Sequence, residues 1–241
     1  MSPFTLENKH ILITGAAGGI GRELAQICAE LGAVLILADR QAPTDLACAL
    51  RRQGAKAEAI GFDAGDKASI EEAIARLGRI DVLVANAGYC PWDSWDDENW
   101  ESVLNAVIDV NLAGVIYLTR CVLKKMIAQG SGQMVLVTSV AARMGGLKAS
   151  PHYVAAKGGV TSFVKWLARV AAPHDIPVNC VAPGATQTAM TENQAISTDG
   201  IPMGRMAHPR EIALPIAFLC SEGASYISGA TLDVNGGVYM N

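Results

Sequence analysis

His10-Ile11-Leu12-Ile13, then Thr14-Gly15-Ala16-Ala17-Gly18-Gly19-Ile20-Gly21, then Arg22 to Leu31 follow one another near the start of the chain, and this succession decides the fold. A short apolar run reads as a buried strand, and a glycine-rich turn leads from it into an amphipathic helix that ends at Gly32. The glycines at that junction have a mechanical use. Lacking side chains, they let the chain turn tightly, bring backbone N–H groups up to a diphosphate and aim a helix N-terminus at its charge. A glycine-rich turn between a strand and a helix points to dinucleotide binding, the alternative being a purely structural turn.

The next apolar run, Val34 to Ala38, ends in Asp39. A carboxylate at the end of that strand, about 20 residues past the glycine turn, suits the ribose hydroxyls of NAD and repels the additional phosphate of NADP. Arg40 pulls the other way, because a guanidinium welcomes that phosphate. Ala17 offers no second cation, so NAD is the expected cofactor, with NADP as the alternative.

The same rhythm continues to the end of the chain. Pro43 to Gln53 reads as a helix, Ala55 to Gly61 as a strand whose exit carries Asp63, Lys67 to Leu77 as a helix, and Ile80 to Ala85 as a strand feeding Asn86-Ala87-Gly88. Helices are expected from about Asp96 to Val110 and from Asn111 to Gln129. The strand Gln133 to Val137 leads to Thr138-Ser139, and Pro151 opens a long helix, a position where proline suits the first turn. The strand Pro177 to Val181 leads to Ala182-Pro183-Gly184, and Thr231 to Val234 is the last strand. Strands alternating with helices, without a linker, repeat or low-complexity tract, imply βαβ units: an α/β Rossmann fold with a doubly wound, seven-stranded parallel sheet in a single domain over 1–241.

Composition excludes several classes. A hydrophobic content of 51% against 17% charged residues implies a large buried core, and a formal charge of −4 provides no basic field for nucleic acid. Breaks such as His10, Arg22 and Asp39 argue against a membrane span, Met1 to Lys9 lacks the pattern of a signal sequence, and the cytoplasm is the expected location. The six cysteines (Cys28, Cys48, Cys90, Cys121, Cys180, Cys220) show no metal-ligand spacing and read as buried small hydrophobes in a reducing compartment. His10, His152, His174 and His208 are likewise scattered, so no metal site is expected. His152, next to Tyr153, stands where it would line a substrate pocket or lie at a helix cap.

On the helix opened by Pro151, Tyr153 and Lys157 are four residues apart and share a face. A fixed cation beside a phenol lowers its pKa and fits it for proton transfer near neutrality. Taken with Thr14-Gly15-xxx-Gly19-x-Gly21, Asn86-Ala87-Gly88, Asn111, Ser139 and Pro183-Gly184-xxx-Thr188, all in this order, the chain resembles the short-chain dehydrogenase/reductase family in its one-domain form, from about Lys9 to Gly237. The body of the chain looks like 3-oxoacyl-acyl-carrier-protein reductases and related alcohol dehydrogenases. The resemblance implies that Tyr153 is the acid/base on a carbonyl or alcohol oxygen and that Ser139 polarises that oxygen. It implies that Lys157 holds the nicotinamide ribose and lowers the Tyr153 pKa, and that Asn111 holds a water linking Lys157 to solvent. Gly15, Gly19, Ile20 and Gly21 are then expected around the diphosphate, Asp39 at the adenosine ribose and Asp63 at the adenine. Asn86 and Gly88 are expected along the middle of the cofactor, with Pro183, Gly184 and Thr188 beside the nicotinamide.

Two departures from the family pattern stand out. Between Trp100 and Asn111 there are about four more residues than is common, close to one helical turn. The segment 189–201, which forms a substrate lid in relatives, is short. Tyr89 and Trp92 follow the cofactor turn at positions that reach a substrate, whereas Trp100 reads as helix packing. The apolar Met144, Gly145 and Leu147 after Ser139 point to a neutral or hydrophobic small-molecule carbonyl or alcohol. Relatives pair helices 111–129 and 151–172 into homotetramers or homodimers, and Ala155, Ala156, Gly158, Gly159, Val160 and Phe163 suit such close packing, as they equally suit packing on the sheet of one subunit. The leading function is NAD-preferring hydride transfer between a ketone and a secondary alcohol. The alternatives are NADPH-linked 3-oxoacyl reduction on a carrier protein or CoA, and a non-catalytic dinucleotide sensor. Asp39 speaks against the carrier role, as does the absence of arginine from 126–133, although Lys124 and Lys125 lie close by.

Overall fold

The computed structural model describes residues 3–146 and 148–241. Leu147, expected to shape the substrate pocket, lies outside the described residues. Seven parallel strands form one sheet in the order β3-β2-β1-β4-β5-β6-β7. They are β1 His10–Thr14, β2 Val34–Asp39, β3 Lys56–Gly61, β4 Val82–Ala85, β5 Gln133–Val137, β6 Val178–Pro183 and β7 Thr231–Val234. The order reverses between β1 and β4, and that crevice is where an open α/β sheet binds its ligand.

Helices α1 Gly19–Glu30, α2 Thr44–Arg52, α3 Lys67–Arg76, α4 Trp100–Ile108, α5 Gly114–Gln129, α6 Ala141–Met144, α7 Pro151–Ala171 and α8 Pro209–Leu219 complete the frame. Strand side chains alternate between the two faces. Ile11, Ile13, Val82, Val84, Val135 and Val181 pack under α1, α2 and α8. Leu12, Leu83, Met134, Leu136 and Cys180 pack under α3, α5 and α7. The central strands are buried on both faces, which is why they read as unbroken apolar runs.

Three features differ from the sequence expectations. First, α4 begins at Trp100 rather than Asp96, and the helical path runs on through Asn111 without a break. A π-helical segment, Asp109–Ala113, joins α4 to α5, with the Gly114 N–H donating to the Asp109 carbonyl. Gly114 is required there, because a Cβ would stand 1.8 Å from the Ala64 carbonyl oxygen. Asn111 thus lies inside a wider, π-helical turn. Second, α8 lies in a region where no element was expected. It carries Pro209 in its first turn and Pro215 inside, and a capping box between His208 and Glu211 starts it. Third, the run Trp100–Gln129 is long and apolar enough by composition to cross a membrane, with a mean hydropathy of 1.6 in its window. It passes that test because Val107, Val115, Leu118, Val122 and Met126 face the core.

Of the cysteines, Cys28, Cys90, Cys180 and Cys220 are buried as expected, but Cys48 is exposed and Cys121 half-buried; all six are free. The small residues of α7 also divide. Ala156 and Val160 belong to the chain's own core and Gly159 faces Leu112, while Ala155 is exposed.

Candidate active site

The carboxyl ends of the strands open into a cleft of about 1200 Å³. Its floor at the switch point is tied together by Thr14 and Asn86. The Thr14 hydroxyl accepts the backbone N–H groups of Asn86 and Ala87 at 3.1 Å each, and the Asn86 side-chain amide donates to the carbonyls of Thr14 and Gly15. With its amide N–H groups engaged in this way, Asn86 presents mainly backbone to the cleft.

Gly15, with φ +65°, starts the glycine turn, and a Cβ there would stand 2.9 Å from Ala87 Cα. A Cβ on Gly19 would lie 2.7 Å from the Thr188 methyl, so α1 begins hard against the 185–191 loop. Gly21 is different. It lies outside the cleft lining, and a Cβ there would stand 2.2 Å from the Gly15 carbonyl, so it allows the turn to close. No side chain caps α1. Its first-turn N–H groups open toward the cleft, which suits an anionic diphosphate.

Asp39 ends β2 with both carboxylate oxygens engaged, Oδ2 accepting from Ala17 N–H at 3.0 Å and Oδ1 from Arg40 N–H at 2.8 Å. It joins the second strand to the glycine turn and lines the cleft beside the exposed Arg40. Asp63 also lines the cleft, and its Oδ1 accepts the Gly65 N–H at 2.8 Å. Ile20, Gly88, Pro183, Gly184 and Thr188 complete the part of the lining that the motifs had marked. A Cβ on Gly184 would lie 2.8 Å from Asn235 Cα, so that glycine too is set by close backbone approach.

Ser139, Tyr153 and Lys157 share one wall of the cleft. Ser139 sits just past β5 and its hydroxyl accepts the Ala141 N–H at 3.1 Å, starting α6. Helix α7 is held to β5 through Thr138, whose hydroxyl donates to the Lys157 carbonyl at 3.0 Å and lies 2.8 Å from the Thr161 hydroxyl. The Lys157 ammonium donates to the Val137 carbonyl at 3.0 Å and stands 5.7 Å from the centre of the Tyr153 ring. A Cβ on Gly88 would come within 3.4 Å of Lys157 Nζ and 3.1 Å of Asn111 Oδ1, which places those two side chains around one point.

Asn111 itself is fully buried and does not line the cleft. Its amide donates to the carbonyls of Tyr89 at 2.7 Å and Val107 at 3.0 Å, and its oxygen accepts the Tyr89 N–H at 3.1 Å. With its side chain so occupied, Asn111 is a clamp on the segment after Gly88.

The expected lowering of the Tyr153 pKa by Lys157 is not met. Burial pushes the phenol above its ordinary value and a thiolate at Cys90 would push it further; a hydrogen bond with Ser139 pulls part of the way back. Burial also lowers Lys157 from 10.5 to about 8. The cause is depth: the ammonium faces Val137 and not the phenol oxygen, so desolvation outweighs attraction and drives both groups toward neutrality.

Sequence reasoning missed a buried polar pair beside this wall. His152 Nε2 and Asp93 Oδ1 are 3.0 Å apart, and their side chains are 0% and 9% exposed. A histidine next to the key tyrosine was visible in the sequence. Its partner, 59 positions away, carried no local signal.

The chain and its fold have matches among known proteins. A family model described as enoyl-(acyl carrier protein) reductase matches residues 15–239. The chain is 38% identical to the 3-oxoacyl-(acyl-carrier-protein) reductase FabG of Escherichia coli strain K12, over 97% of this chain and 98% of the relative. Its structure superposes with a TM-score of 0.91 on a 3-oxoacyl-(acyl-carrier protein) reductase with bound NAD from Brucella melitensis, at 32% identity over 99% of this chain and 94% of that one. It superposes with a TM-score of 0.90 on a putative 2-deoxy-d-gluconate 3-dehydrogenase with bound NADP from Agrobacterium tumefaciens, at 35% identity over 99% of both chains.

Proposed function

Because the chain belongs to the short-chain dehydrogenase/reductase family, and is therefore an NAD(P)-dependent oxidoreductase acting on ketones and secondary alcohols, we propose that Tyr153 is its acid/base, Ser139 its oxygen-orienting group and NAD its preferred cofactor. The observation that carries this reading is the single wall on which Ser139, Tyr153 and Lys157 meet, facing a cleft that begins at the glycine turn. The dinucleotide, when bound, supplies the hydride or accepts it.

The residues supply the rest. In reduction, the Tyr153 hydroxyl gives its proton to the substrate oxygen as negative charge develops there; in oxidation, the phenolate takes it back. Ser139 donates to the same oxygen and sets its direction. Lys157 holds the ribose and carries the local positive charge, and Asn111 keeps Gly88 and Tyr89 in place around it. The α1 N-terminus and Gly15, Gly19 and Ile20 hold the diphosphate, Asp63 the adenine, and Pro183, Gly184 and Thr188 the nicotinamide end. Asp39 favours NAD because the Ala17 and Arg40 N–H groups hold its carboxylate at the position expected for the ribose, against the opposing charge of the Arg22 guanidinium, which reaches the Ala17 carbonyl at 3.5 Å. Arg40, exposed at the same place, supports the second reading, an NADPH-linked 3-oxoacyl reductase like the relative above.

The substrate half of the cleft is lined by Tyr89, Trp92, Met144, Met190 and Ile201, and among the described residues Lys148 is its one charge besides Lys157. That lining suits a neutral, apolar carbonyl or alcohol, covered by the 189–201 segment. The exposed Ile116 and Ile127 on α5, and Trp166 and Val170 on α7, suit a homodimer or homotetramer paired through these helices. The six free thiols suit the reducing cytoplasm.

The test is Tyr153→Phe, assayed against a panel of ketones with NADH. The variant should lose turnover by a factor of about 10²–10⁴, the usual contribution of a general acid. It should still bind NADH as the wild type does. A variant that keeps more than a tenth of wild-type turnover on the panel's best ketone would remove Tyr153 from the reaction.

A further inference from the structure

Five residues after the cofactor turn, Tyr89 to Asp93, are held at both ends by buried side chains. Asn111 holds Tyr89 through its backbone N–H and carbonyl. At the other end His152, the neighbour of Tyr153, holds the Asp93 carboxylate at 3.0 Å. Between the clamps, Cys90 is buried and Trp92 has φ +62°. A bulky residue in the left-handed region is strained, and such strain persists only where the surroundings over-determine it and tends to gather at functional positions.

The strained backbone gives the indole one direction. Trp92 Nε1 donates to the Met190 carbonyl at 2.9 Å, in the 189–201 segment. That segment contains no helix or strand; Thr191 ties its start to Thr186 and Thr188, Ile201 is buried near its end, and between them Met190 and Ala195 accept from side chains elsewhere in the chain. From the opposite side of the mouth Lys148 Nζ donates to the Ala195 carbonyl. Trp92, Met190 and Lys148 all line the cleft, so both attachments stand over the substrate half.

We infer that Trp92 is a specificity-determining latch: its strained backbone, fixed by Asn111 and by the Asp93–His152 pair, aims the indole N–H at Met190 and holds the 189–201 segment closed over an apolar substrate. This rests on the reading of the cleft above, but its structural half is testable without turnover. The latch shares its supports with the catalytic wall, since His152 precedes Tyr153 and Asn111 flanks Lys157. Substrate closure and the placing of Tyr153 are thereby tied through one short segment.

The experiment is amide hydrogen exchange on the full chain, comparing wild type with Trp92→Phe, which keeps an aromatic ring and removes only the N–H donor. Exchange across 188–201 should speed up at least fivefold in the variant. Exchange in the strands, the melting temperature and the affinity for NADH should stay at wild-type values. Unchanged exchange in 188–201 overturns the inference, and so does an equal acceleration throughout the molecule, which would make Trp92 a packing residue. Asp93→Asn keeps the shape of the support and weakens its charge-assisted bond. It should reproduce the 188–201 effect in part, and no change there would remove the pair from the latch. With a series of 2-alkanones and NADH, Trp92→Phe should raise KM more than it lowers kcat, most for the longest ketone. A loss confined to kcat would place Trp92 in the chemistry instead. Failure of Tyr153→Phe to impair turnover would refute the catalytic assignment while leaving the exchange result to judge the latch.

Discussion

Lys157→Met should stabilise the protein at neutral pH while disabling it, and the effect should reverse in alkali. Lys157 is 3% exposed, and burial lowers its pKa from 10.5 to about 8. That displacement corresponds to roughly 3 kcal/mol at about 1.4 kcal/mol per unit, which the fold bears whenever the side chain is charged. Between about pH 8 and 10.5 the folded chain has shed a proton that the unfolded chain still binds, so wild-type stability rises with pH through that window. Below it the cost is present in full. Methionine matches the lysine in shape, never charges, and loses the donor to the Val137 carbonyl, a loss of about 1–2 kcal/mol. The variant should therefore be more stable than wild type by about 1–2 kcal/mol at pH 7 and less stable by a similar amount at pH 10.5. For a chain of this length the neutral-pH gain is about 3–6 °C in melting temperature. Paired denaturant titrations of both proteins from pH 7 to 10.5 measure the difference, and groups that titrate alike in the two cancel. A variant less stable at pH 7, or a difference flat across the range, would refute the desolvation argument.

Other substitutions probe the frame of the site. Gly114→Ala puts a methyl 1.8 Å from the Ala64 carbonyl oxygen, so the π turn must shift; thermal unfolding should show a loss of about 1–3 kcal/mol, and wild-type stability would mean that the close approach is not required. Asp66 caps α3 by accepting the Ser69 N–H at 2.8 Å. Asp66→Ala should cost about 1 kcal/mol in denaturant unfolding without changing NADH affinity, and a changed affinity would extend the cofactor site to α3.

The parts of the fold and site that were legible in the sequence are those that local chemistry specifies. The central strands show as apolar runs because both faces of the sheet are covered there, whereas the edge strands β3 and β7 are mixed in character, and the glycine turn shows because tight backbone approach leaves no other residue type. What escaped depends on distance or depth. Helix α8 carries a proline in its interior, which conceals its periodicity. The π turn before Asn111 follows from the approach of Gly114 to Ala64, a contact across 50 positions of chain. Gly21 and Asn111 carry family motifs, and neither lines the cleft: Gly21 packs against the Gly15 carbonyl and Asn111 bonds the Tyr89 backbone, contacts that a spacing alone does not reveal. The Tyr153–Lys157 spacing correctly implied a shared wall. It could not reveal that both groups lie deep enough for desolvation to outweigh their attraction.

The most direct test of the account is a side-by-side calorimetric titration of the purified protein with NADH and NADPH. Binding of NADH at least tenfold tighter is the result expected from the Asp39 carboxylate held at the end of β2 by the Ala17 and Arg40 N–H groups. Equal or tighter binding of NADPH would contradict it, making Arg40 the dominant group and 3-oxoacyl reduction the better assignment.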